Sequence, residues 1–465
     1  MVFPVIGGTQ STGDLITNSA RFEDGDSPDL RFDGQMAAGN RRTFTYSFWT
    51  KRGNLGINTC VFSVEASDVV FRFGTSDDIQ FKDVNNDSFN LSTNNVFRDT
   101  SAWYHIVVAV DTTDGTAANR IKLYVNGTQQ TTDFGTASYP SQNHDTEQNN
   151  NGDSMYIGAR TDSTTEGSSM TQHYDGYIAY FHLIDGAQKA ASDFGETNEN
   201  GVWVPKLYTG TYGTNGFKLE FKGTGTSADT SGKGADTSGQ GNHFDDTNMT
   251  ATEITTDTPQ NNFATLNLLD NYYASSTFSE GSVKMVSAST GSGTSTNAFK
   301  TSTFGLTSGK WYWEAKLSNA TGYDQIGISQ LVASSTSDHL GNSSSAYSIR
   351  GDTGNFMNNN SASSYGVSFT TNDIISVALD LDNNLIYFYK NGTVMNSGTG
   401  KSISAGTYFP SFGKQDPAAV TWEVNFGNPS FSISSGNTDG LYGNFEYAVP
   451  SGYYALCTKR LAEYG

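Results

Sequence analysis

Short alternations of apolar and polar residues recur along this chain, and residues 372–393 show the pattern most fully. The sequence NDIISVALDLDNNLIYFYKNGT places one alternating run before Asp382, Asn383 and Asn384 and a second run after them. Asp and Asn tolerate the left-handed backbone conformations that tight turns require, whereas β-branched residues do not. The segment therefore predicts a β-hairpin.

The N-terminal half carries the same signals at regular intervals. Alternation runs through TFTYSFWTKRG at 43–53, and the Asn126-Gly127 pair places a tight-turn signal in RIKLYVNGT at 120–128. Further strand patterns are WYHIVVAVD at 103–111, SMYIGAR at 154–160, YDGYIAYFHLIDGA at 174–187 and GFKLEF at 216–221. Short strands separated by Gly, Asn and Asp are typical of a β-sandwich.

Taken in this order, the WYH, LYVNG and GYIAYF elements make most of residues 16–200 resemble a LamG domain, a sandwich of the concanavalin A-like lectin/glucanase type. In the C-terminal half, the hairpin pattern is accompanied by KWYWEAKL at 310–317, QIGIS at 325–329, YFPSFG at 408–413 and VNFG at 424–427. This series resembles a SPRY domain. SPRY domains are non-catalytic binding sandwiches, so the resemblance implies a role in recognition.

The predicted fold class is all-β, with two concanavalin A-like or jelly-roll antiparallel β-sandwiches joined by a Gly/Thr/Ser-rich linker. We place an N-terminal arm at 1–15, the LamG-like sandwich at 16–222, the linker at 223–262 and the SPRY-like sandwich at 263–465. DTSGKG, nearly repeated as DTSGQG, gives the linker its composition. Because DTSGQGNHF also resembles the opening strand of a LamG domain, the pairing of this segment onto the first sandwich stays open. GYYALC at 452–457 is predicted as the last strand.

The composition fits two turn-rich domains and argues against nucleic acids and membranes as partners. The chain has 465 residues, 50 of them Gly, and a formal net charge of −20, and this length suits two domains. Nucleic-acid binding depends on Lys and Arg, so the charge argues against that partner. No window approaches the roughly 20 apolar residues of a membrane span. MVFPVIGG lacks the features of a signal peptide, so we expect synthesis in a cytoplasm and no membrane insertion.

The sequence lacks familiar catalytic patterns. Retaining glucanases of the concanavalin A-like fold use an E-x-D-x-x-E strand, and no Glu of this chain is followed two residues later by Asp. The six His show no zinc-binding spacing, and His105 and His182 lie inside strand patterns that favour a structural role. Cys60 and Cys457 are predicted to be reduced structural thiols. We therefore expect a non-enzymatic protein with no catalytic residues.

Two sets of residues are candidates for ligand binding. Calcium could be held by Asp24, Asp26 and Asp29 in EDGDSPD, since some LamG domains bind calcium at their rim; an ordinary turn before a strand is the alternative. Otherwise no cofactor is expected. Aromatic residues in loops could stack on sugar rings, with half-buried strand residues as the alternative. These are Tyr139, Tyr174, Tyr347, Phe356 and Tyr365.

The overall layout resembles the LamG plus SPRY proteins of tailed phages. The resemblance rests on FPVIGG, NSARF, GNRRTFTYSFWTKRGN at 39–54 and DTPQNNFATLN at 257–267. It implies a virion surface protein with other virion proteins as partners, and three hypotheses follow: a tail-fibre or appendage adhesin for host envelope glycan or protein, a decoration protein that contacts only virion subunits, and a glycan depolymerase. Fibres are commonly trimers, but no heptad or collagen-like repeat specifies trimerisation here.

Overall fold

The computed structural model describes residues 14–32, 36–65, 69–161, 170–270, 276–287, 298–334, 338–415 and 418–465. Most of the predicted arm, residues 1–13, lies outside the described residues. The chain forms two compact units that divide between Gln260 and Asn261. Each unit is built almost wholly from antiparallel strands.

The first unit contains the strands up to residue 255. They are β1 (Ser19–Phe22), β2 (Asp29–Phe32), β3 (Thr43–Arg52), β4 (Thr59–Val64), β5 (Val69–Phe73), β6 (Asp78–Lys82), β7 (Asn90–Val96), β8 (Tyr104–Asp111), β9 (Ile121–Val125), β10 (Thr128–Gln130), β11 (Phe134–Ser138), β12 (Met155–Ile157), β13 (Arg160–Thr161), β14 (Met170–Thr171), β15 (Gly176–Asp185), β16 (Gly195–Thr197), β17 (Trp203–Pro205), β18 (Phe217–Leu219), β19 (Asp245–Thr247) and β20 (Ile254–Thr255). Single 3-10 turns lie at Ala117–Asn119, Ala191–Asp193 and Ala251–Glu253.

Two large sheets form the sandwich of this unit. Sheet 1 has the order β10-β9-β8-β3-β15-β1-β20, with β18 paired to β15, and sheet 2 has the order β11-β7-β6-β5-β4-β12-β2-β19. Aromatic rings from both sheets meet between them. Phe48 of sheet 1 stacks on Phe181 at 4.9 Å and meets Phe62 and Phe71 of sheet 2 edge-on. This packing buries the apolar face that each alternating strand presents.

The described residues of the second unit form the remaining strands and one helix. They are β21 (Ser276–Ser279), β22 (Lys284–Ser287), β23 (Ala298–Thr301), β24 (Lys310–Asn319), β25 (Asp324–Ser329), β26 (Ala346–Arg350), β27 (Phe356–Asn358), β28 (Ser361–Ser363), β29 (Ile374–Asp380), β30 (Leu385–Lys390), β31 (Thr393–Val394), β32 (Lys401–Ser402), β33 (Phe409–Lys414), β34 (Val420–Asn425) and α1 (Thr458–Tyr464). A 3-10 turn lies at Asn396–Gly398.

These strands form a second sandwich. Sheet 3 has the order β21-β22-β34-β24-β29-β30-β31 with β32 paired to β30, and sheet 4 has the order β23-β33-β25-β26-β27-β28. Trp422 of sheet 3 contacts Phe412 of sheet 4 in the core between them. The predicted hairpin is confirmed: β29 pairs with β30 so that Leu379 lies opposite Ile386, and Asn384 adopts a φ of 55° in the turn. The all-β class and the sandwich architecture are confirmed as well.

The structure differs from the predicted linker at 223–262. Within this segment β19 pairs with β2 and β20 pairs with β1, so both sheets of the first unit gain an edge strand from it. Phe244 and Met249 lie in the core of that unit. A Gly- and Ser-rich composition is typical of turns as well as of linkers, so it does not distinguish between them. The apolar residues that this segment buries are few and widely spaced. The segment from residue 223 to Gln260 therefore belongs to the first sandwich.

The chain end also differs from its prediction. GYYALC at 452–457 forms single bridges, from Tyr454 to Trp311 and from Cys457 to Phe263, rather than a strand. It is followed by α1, for which the sequence analysis made no prediction. Within the described ranges, no helix is long and apolar enough to cross a membrane.

Candidate functional site

Sheet 2 presents a polar outer surface on its central strands. In β5 and β6 the aromatic and aliphatic residues Phe71, Ile79 and Phe81 point to the core, so Arg72, Gln80 and Lys82 lie on the opposite face. The register continues this face into β7. The polar face, as we name it, consists of Arg72, Gln80, Lys82, Asn90 and Ser92.

All five side chains of the polar face are partly exposed. The outer surface of sheet 1 is different, because residues of the segment after β15 pack against it. Phe194, Tyr208 and Tyr212 form an apolar cluster there with Val107 and Ile184. Of the two outer surfaces of this sandwich, the one on sheet 2 thus offers partly exposed polar groups on its central strands.

Arg72 is held in place by neutral amides. Its Nε donates to Oε1 of Gln80 at 2.9 Å, and its Nη1 donates to Oε1 of Gln172 at 3.0 Å. Gln80 in turn donates from Nε2 to a carboxylate oxygen of Asp78 at 2.9 Å. The guanidinium is therefore oriented by two hydrogen bonds, while no carboxylate among the described residues forms an ion pair with it.

Lys82 lies two residues beyond Gln80 on the same face of β6, opposite Val70 on one side and Asn90 on the other. Burial lowers the pKa of Lys82, and the nearby charges of Arg72 and Arg160 lower it further. Burial likewise lowers the pKa of Arg72. The two cations therefore share one surface, on which the charge of Asp78 acts on both and no described carboxylate forms an ion pair with either.

The predicted calcium site is only partly supported by the geometry. Glu23, Asp24 and Asp175 each offer a carboxylate oxygen, and these atoms all lie within 4.8 Å of one another. Gly53 leaves room for this group, since a Cβ there would lie 1.6 Å from Oδ1 of Asp175. Asn54 donates to Asp24 at 2.8 Å. Carboxylate oxygens suit Ca²⁺, which takes about six to eight oxygen ligands, so the donor chemistry fits and calcium stays a prediction.

Two of the three predicted calcium ligands are not part of this cluster of carboxylates. Asp29 is buried and forms an ion pair with Arg31, whose Nη2 donates to it at 3.0 Å. Asp26 is exposed in the turn before β2 and is not a member of the acidic cluster. The chain turns sharply at this point, and only Asp24 of the predicted set meets the other two carboxylates. Asp175 was missed because it lies far along the sequence.

The predicted aromatic ligand residues are mostly core residues. Tyr174 is fully buried and its hydroxyl forms a hydrogen bond with Thr50. Tyr347, Phe356 and Tyr365 are brought together in one buried cluster, with Phe356 about 6 Å from each of the other two rings. Tyr139 is half-buried against the core of the first unit. The four buried rings cannot stack on a sugar, because other side chains already cover their faces.

His105 and His182 are buried in the outer layer of sheet 1. Trp203 donates from Nε1 to Nδ1 of His105 at 3.0 Å, so the proton of this imidazole lies on Nε2, which is 3.0 Å from Oγ of Ser47. Burial lowers the pKa of His105 to about 3 and that of His182 well below its usual range. Both rings are thus neutral near pH 7 and tied to neighbouring side chains, as their strand patterns predicted.

The polar face was not predicted from the sequence, because it consists of strand residues that belong to no loop or motif. A signal was present: Arg72 stands between two phenylalanines in VVFRF, and Lys82 ends DIQFK, where Gln80 alternates with Ile79 and Phe81. Charged residues between core residues of a strand lie on its other face. The sequence alone does not show that these strands are neighbours.

Models of two known protein families match the chain, one in each half. The model of the concanavalin A-like lectin/glucanases superfamily matches residues 24–192, and the SPRY domain model matches residues 310–429. The chain carries a LamG-like domain and a SPRY domain. The polar face lies within the LamG-like domain, and the hairpin of β29 and β30 lies within the SPRY domain.

Solved structures with similarity to the chain cover parts of it at low identity. The SPRY domain of human HERC1 is 20% identical, with a TM-score of 0.26, over 30% of this chain and 86% of that chain. A putative carbohydrate binding protein from Bacteroides ovatus is 14% identical, with a TM-score of 0.33, over 50% of this chain and 58% of that one. The PSpry domain of TRIM65 is 15% identical, with a TM-score of 0.29, over 35% of this chain and 88% of that one. No curated protein matches the sequence.

Proposed function

We propose that this protein is a non-enzymatic recognition protein of the virion surface, a tail-fibre or appendage adhesin that binds host envelope glycan through the polar face of its LamG-like domain. The observation that carries the proposal is the arrangement of Arg72, Gln80 and Lys82 beside Asn90 and Ser92 on three adjacent strands. The superfamily match agrees with a binding role for this domain.

The chemistry of the polar face suits a carbohydrate. Sugar hydroxyls both donate and accept hydrogen bonds, and the side chains of Asn90 and Ser92 offer groups of both kinds. Neighbouring strands lie about 4.8 Å apart and residues two positions apart lie about 7 Å apart along a strand. Three strands therefore present a patch about 10 Å wide, on which a short stretch of polysaccharide can lie.

The virion setting rests on the layout of the sequence. A LamG-like domain and a SPRY domain follow one another in the order of the tailed-phage proteins that the sequence resembles. We propose other virion proteins as partners of this chain and a virion-surface location after synthesis in the host cytoplasm. A homotrimer is the assembly we propose for a fibre of this kind.

Binding to candidate host cells and to their isolated envelope polysaccharide tests the proposal. Labelled full-length protein should bind both and compete with phage adsorption. The double variant Asn90→Ala/Ser92→Ala should bind about thirtyfold more weakly, because each of the two lost hydrogen bonds contributes about 1 kcal/mol. Lys206→Gln is the control, since Lys206 lies in the segment that covers sheet 1.

Three results would overturn the proposal. Failure to bind cells or polysaccharide, together with binding to stripped virions, would indicate a decoration protein instead. New reducing ends appearing in the polysaccharide would indicate a depolymerase. Binding that the double variant leaves unchanged would move the site away from the polar face.

A further inference from the structure

The polar face has a charge opposite to that of the chain around it. The protein carries a formal net charge of −20, yet Arg72 and Lys82 lie side by side on this face. Gln80 faces Arg72 across the strand pair, and Lys82 is two residues beyond Gln80. Arg72 and Lys82 are therefore diagonal neighbours on one surface, with Cα atoms about 7–8 Å apart. Side chains of this length converge readily on one bound group.

Arg72 is prepared to bind a further acceptor. A guanidinium has five N–H donors, and the acceptors of Arg72 are the side-chain oxygens of Gln80 and Gln172. Both acceptors are neutral, so they orient the group without forming an ion pair with it, and Asp78, which accepts from Gln80, is a nearby carboxylate whose charge acts on Arg72. The remaining donors match the paired oxygens of a carboxylate, sulfate or phosphate, which Arg binds in a bidentate manner.

Lys82 has no ion pair with any residue that the structure describes, and Asp78 and Asp87 are the carboxylates whose charges raise its pKa against the larger effect of burial. Asp78 lies on the same strand and accepts a hydrogen bond from Gln80. Asp87 is exposed in the turn between β6 and β7. The lowered pKa of Lys82, caused by burial and then by Arg72 and Arg160, agrees with this placement. An anion bound between Arg72 and Lys82 would relieve the repulsion of the two cations.

We infer that the polar face selects acidic glycans and binds their anionic group, a carboxylate, sulfate or phosphate, between Arg72 and Lys82. This inference rests on the proposed function and names the class of glycan. The amide and hydroxyl groups of Asn90 and Ser92 then contact the neutral hydroxyls of the same chain. Charge on the glycan provides the selectivity, and the neutral contacts are common to all sugars.

Matched pairs of polymers test the inference with the full-length protein. Polygalacturonate is compared with its methyl ester, and dextran sulfate with dextran, by biolayer interferometry in buffers of low and physiological salt. Each acidic polymer should bind at least tenfold more tightly than its neutral partner, and the difference should shrink as salt rises. The two pairs also separate carboxylate from sulfate as the preferred group.

Substitutions in the polar face show which side chains provide the selectivity for acidic polymers. Arg72→Gln and Lys82→Gln should each weaken binding of the acidic polymer about tenfold or more and weaken binding of the neutral polymer much less, because a charge-assisted hydrogen bond is worth more than a neutral one. Lys82→Arg keeps the charge and should retain most of the binding. Lys206→Gln removes the same charge from another surface of the first unit and should have no effect. Thermal unfolding of each variant checks that it is folded.

The outcomes separate this inference from the proposed function. Equal binding of acidic and neutral polymers, with loss in Asn90→Ala/Ser92→Ala, would overturn the selectivity and leave glycan binding in place. An equal loss in Lys206→Gln and Lys82→Gln would also overturn it, since the effect would then be one of net charge. Tighter binding of double-stranded DNA than of either acidic polymer would overturn the assignment to a glycan. Failure of all four polymers and of envelope polysaccharide to bind would overturn both proposals.

Discussion

Lys51 of β3 and Asp257, two residues after β20, form an ion pair in the interior of the first unit. The Nζ of Lys51 lies 2.9 Å from a carboxylate oxygen of Asp257, and both side chains are fully buried. The other carboxylate oxygen accepts a hydrogen bond from Nε1 of Trp103 at 3.1 Å. Asp257 belongs to a segment whose composition predicts a linker, so this pair shows how firmly the segment is built into the LamG-like domain.

Removing Asp257 should destabilise the LamG-like domain strongly. Asp257→Ala leaves the charge of Lys51 buried without this partner, and breaking such a pair costs about 3–5 kcal/mol. Urea unfolding of the full-length protein measures the change. The control is Asp145→Ala, which breaks the exposed pair of Arg42 and Asp145 and should leave the unfolding midpoint unchanged. Similar midpoints for the two variants would contradict the structural role of the buried pair.

Truncation gives a second test of the domain boundary. Residues 1–260 should fold alone and give a cooperative unfolding transition, whereas residues 1–222 should not. The shorter chain lacks β19, β20 and the core residues Phe244 and Met249, and the loss of buried apolar side chains costs several kcal/mol. Near-ultraviolet circular dichroism distinguishes the two chains. A native-like spectrum from residues 1–222 would show that the added strands are dispensable.

The buried histidines predict a pH effect on stability. The unfolded state binds a proton at each His below a pKa of about 6.5, but burial holds the pKa of folded His105 at about 3. The unfolded state therefore binds more protons as the pH falls from 7 to 5, and stability decreases by about 2 kcal/mol for this residue. Urea unfolding at pH 7 and at pH 5 measures the decrease in the free energy of unfolding. In His105→Gln this decrease should be smaller by about 2 kcal/mol.

This difference between variants isolates His105 from other groups. Asp153, for example, has a pKa raised by burial to about 6, and it binds its proton more readily when folded. Its contribution has the opposite sign and is the same in both proteins. An identical pH dependence in wild type and His105→Gln would contradict the burial of a neutral imidazole.

Gly327 explains why the SPRY-like QIGIS pattern has a glycine in the middle of β25. A Cβ at this position would lie 1.9 Å from the backbone oxygen of Tyr347 and 2.7 Å from Cα of Ser348 on the neighbouring strand. Gly327→Ala should therefore push β25 and β26 apart and destabilise the SPRY domain by about 1–3 kcal/mol. Differential scanning calorimetry measures the loss.

Gly115→Ala is the matched control, because no atom lies within 4 Å of its added Cβ. It should leave the transition temperatures of both domains nearly unchanged. A neutral Gly327→Ala would contradict the close approach of these two strands.

Local sequence patterns predicted those structural features that are formed by residues close together in the chain. The hairpin of β29 and β30 needs only a turn of Asp and Asn between two alternating runs, and the structure has it. The polar face depends on pairs distant in sequence. Arg72 meets Gln80 eight positions later and Gln172 one hundred positions later, and Lys51 meets Asp257 across 206 positions. Alternation shows which side of a strand a residue lies on, but strand order comes from the fold.

The burial of the aromatic residues predicted to lie in loops could not be predicted from their neighbours in the sequence. Tyr347 and Tyr365 stand among Ser, Asn and Gly, a context typical of exposed loops. The fold turns both inward, and the hydroxyl of Tyr365 accepts a hydrogen bond from the backbone of Phe388 at 3.3 Å. Polar neighbours in sequence do not keep a large ring in solvent when the core of the sandwich can bury it.

Hydrogen exchange with and without a bound envelope polysaccharide is the most direct test of glycan binding by the polar face, because it maps the contact surface on the whole protein without a substitution. Exchange should be slower in β5, β6 and β7, residues 69–96, when the polysaccharide is bound. Slower exchange confined to the SPRY domain, or no change on the strands that carry Arg72 and Lys82, would contradict it.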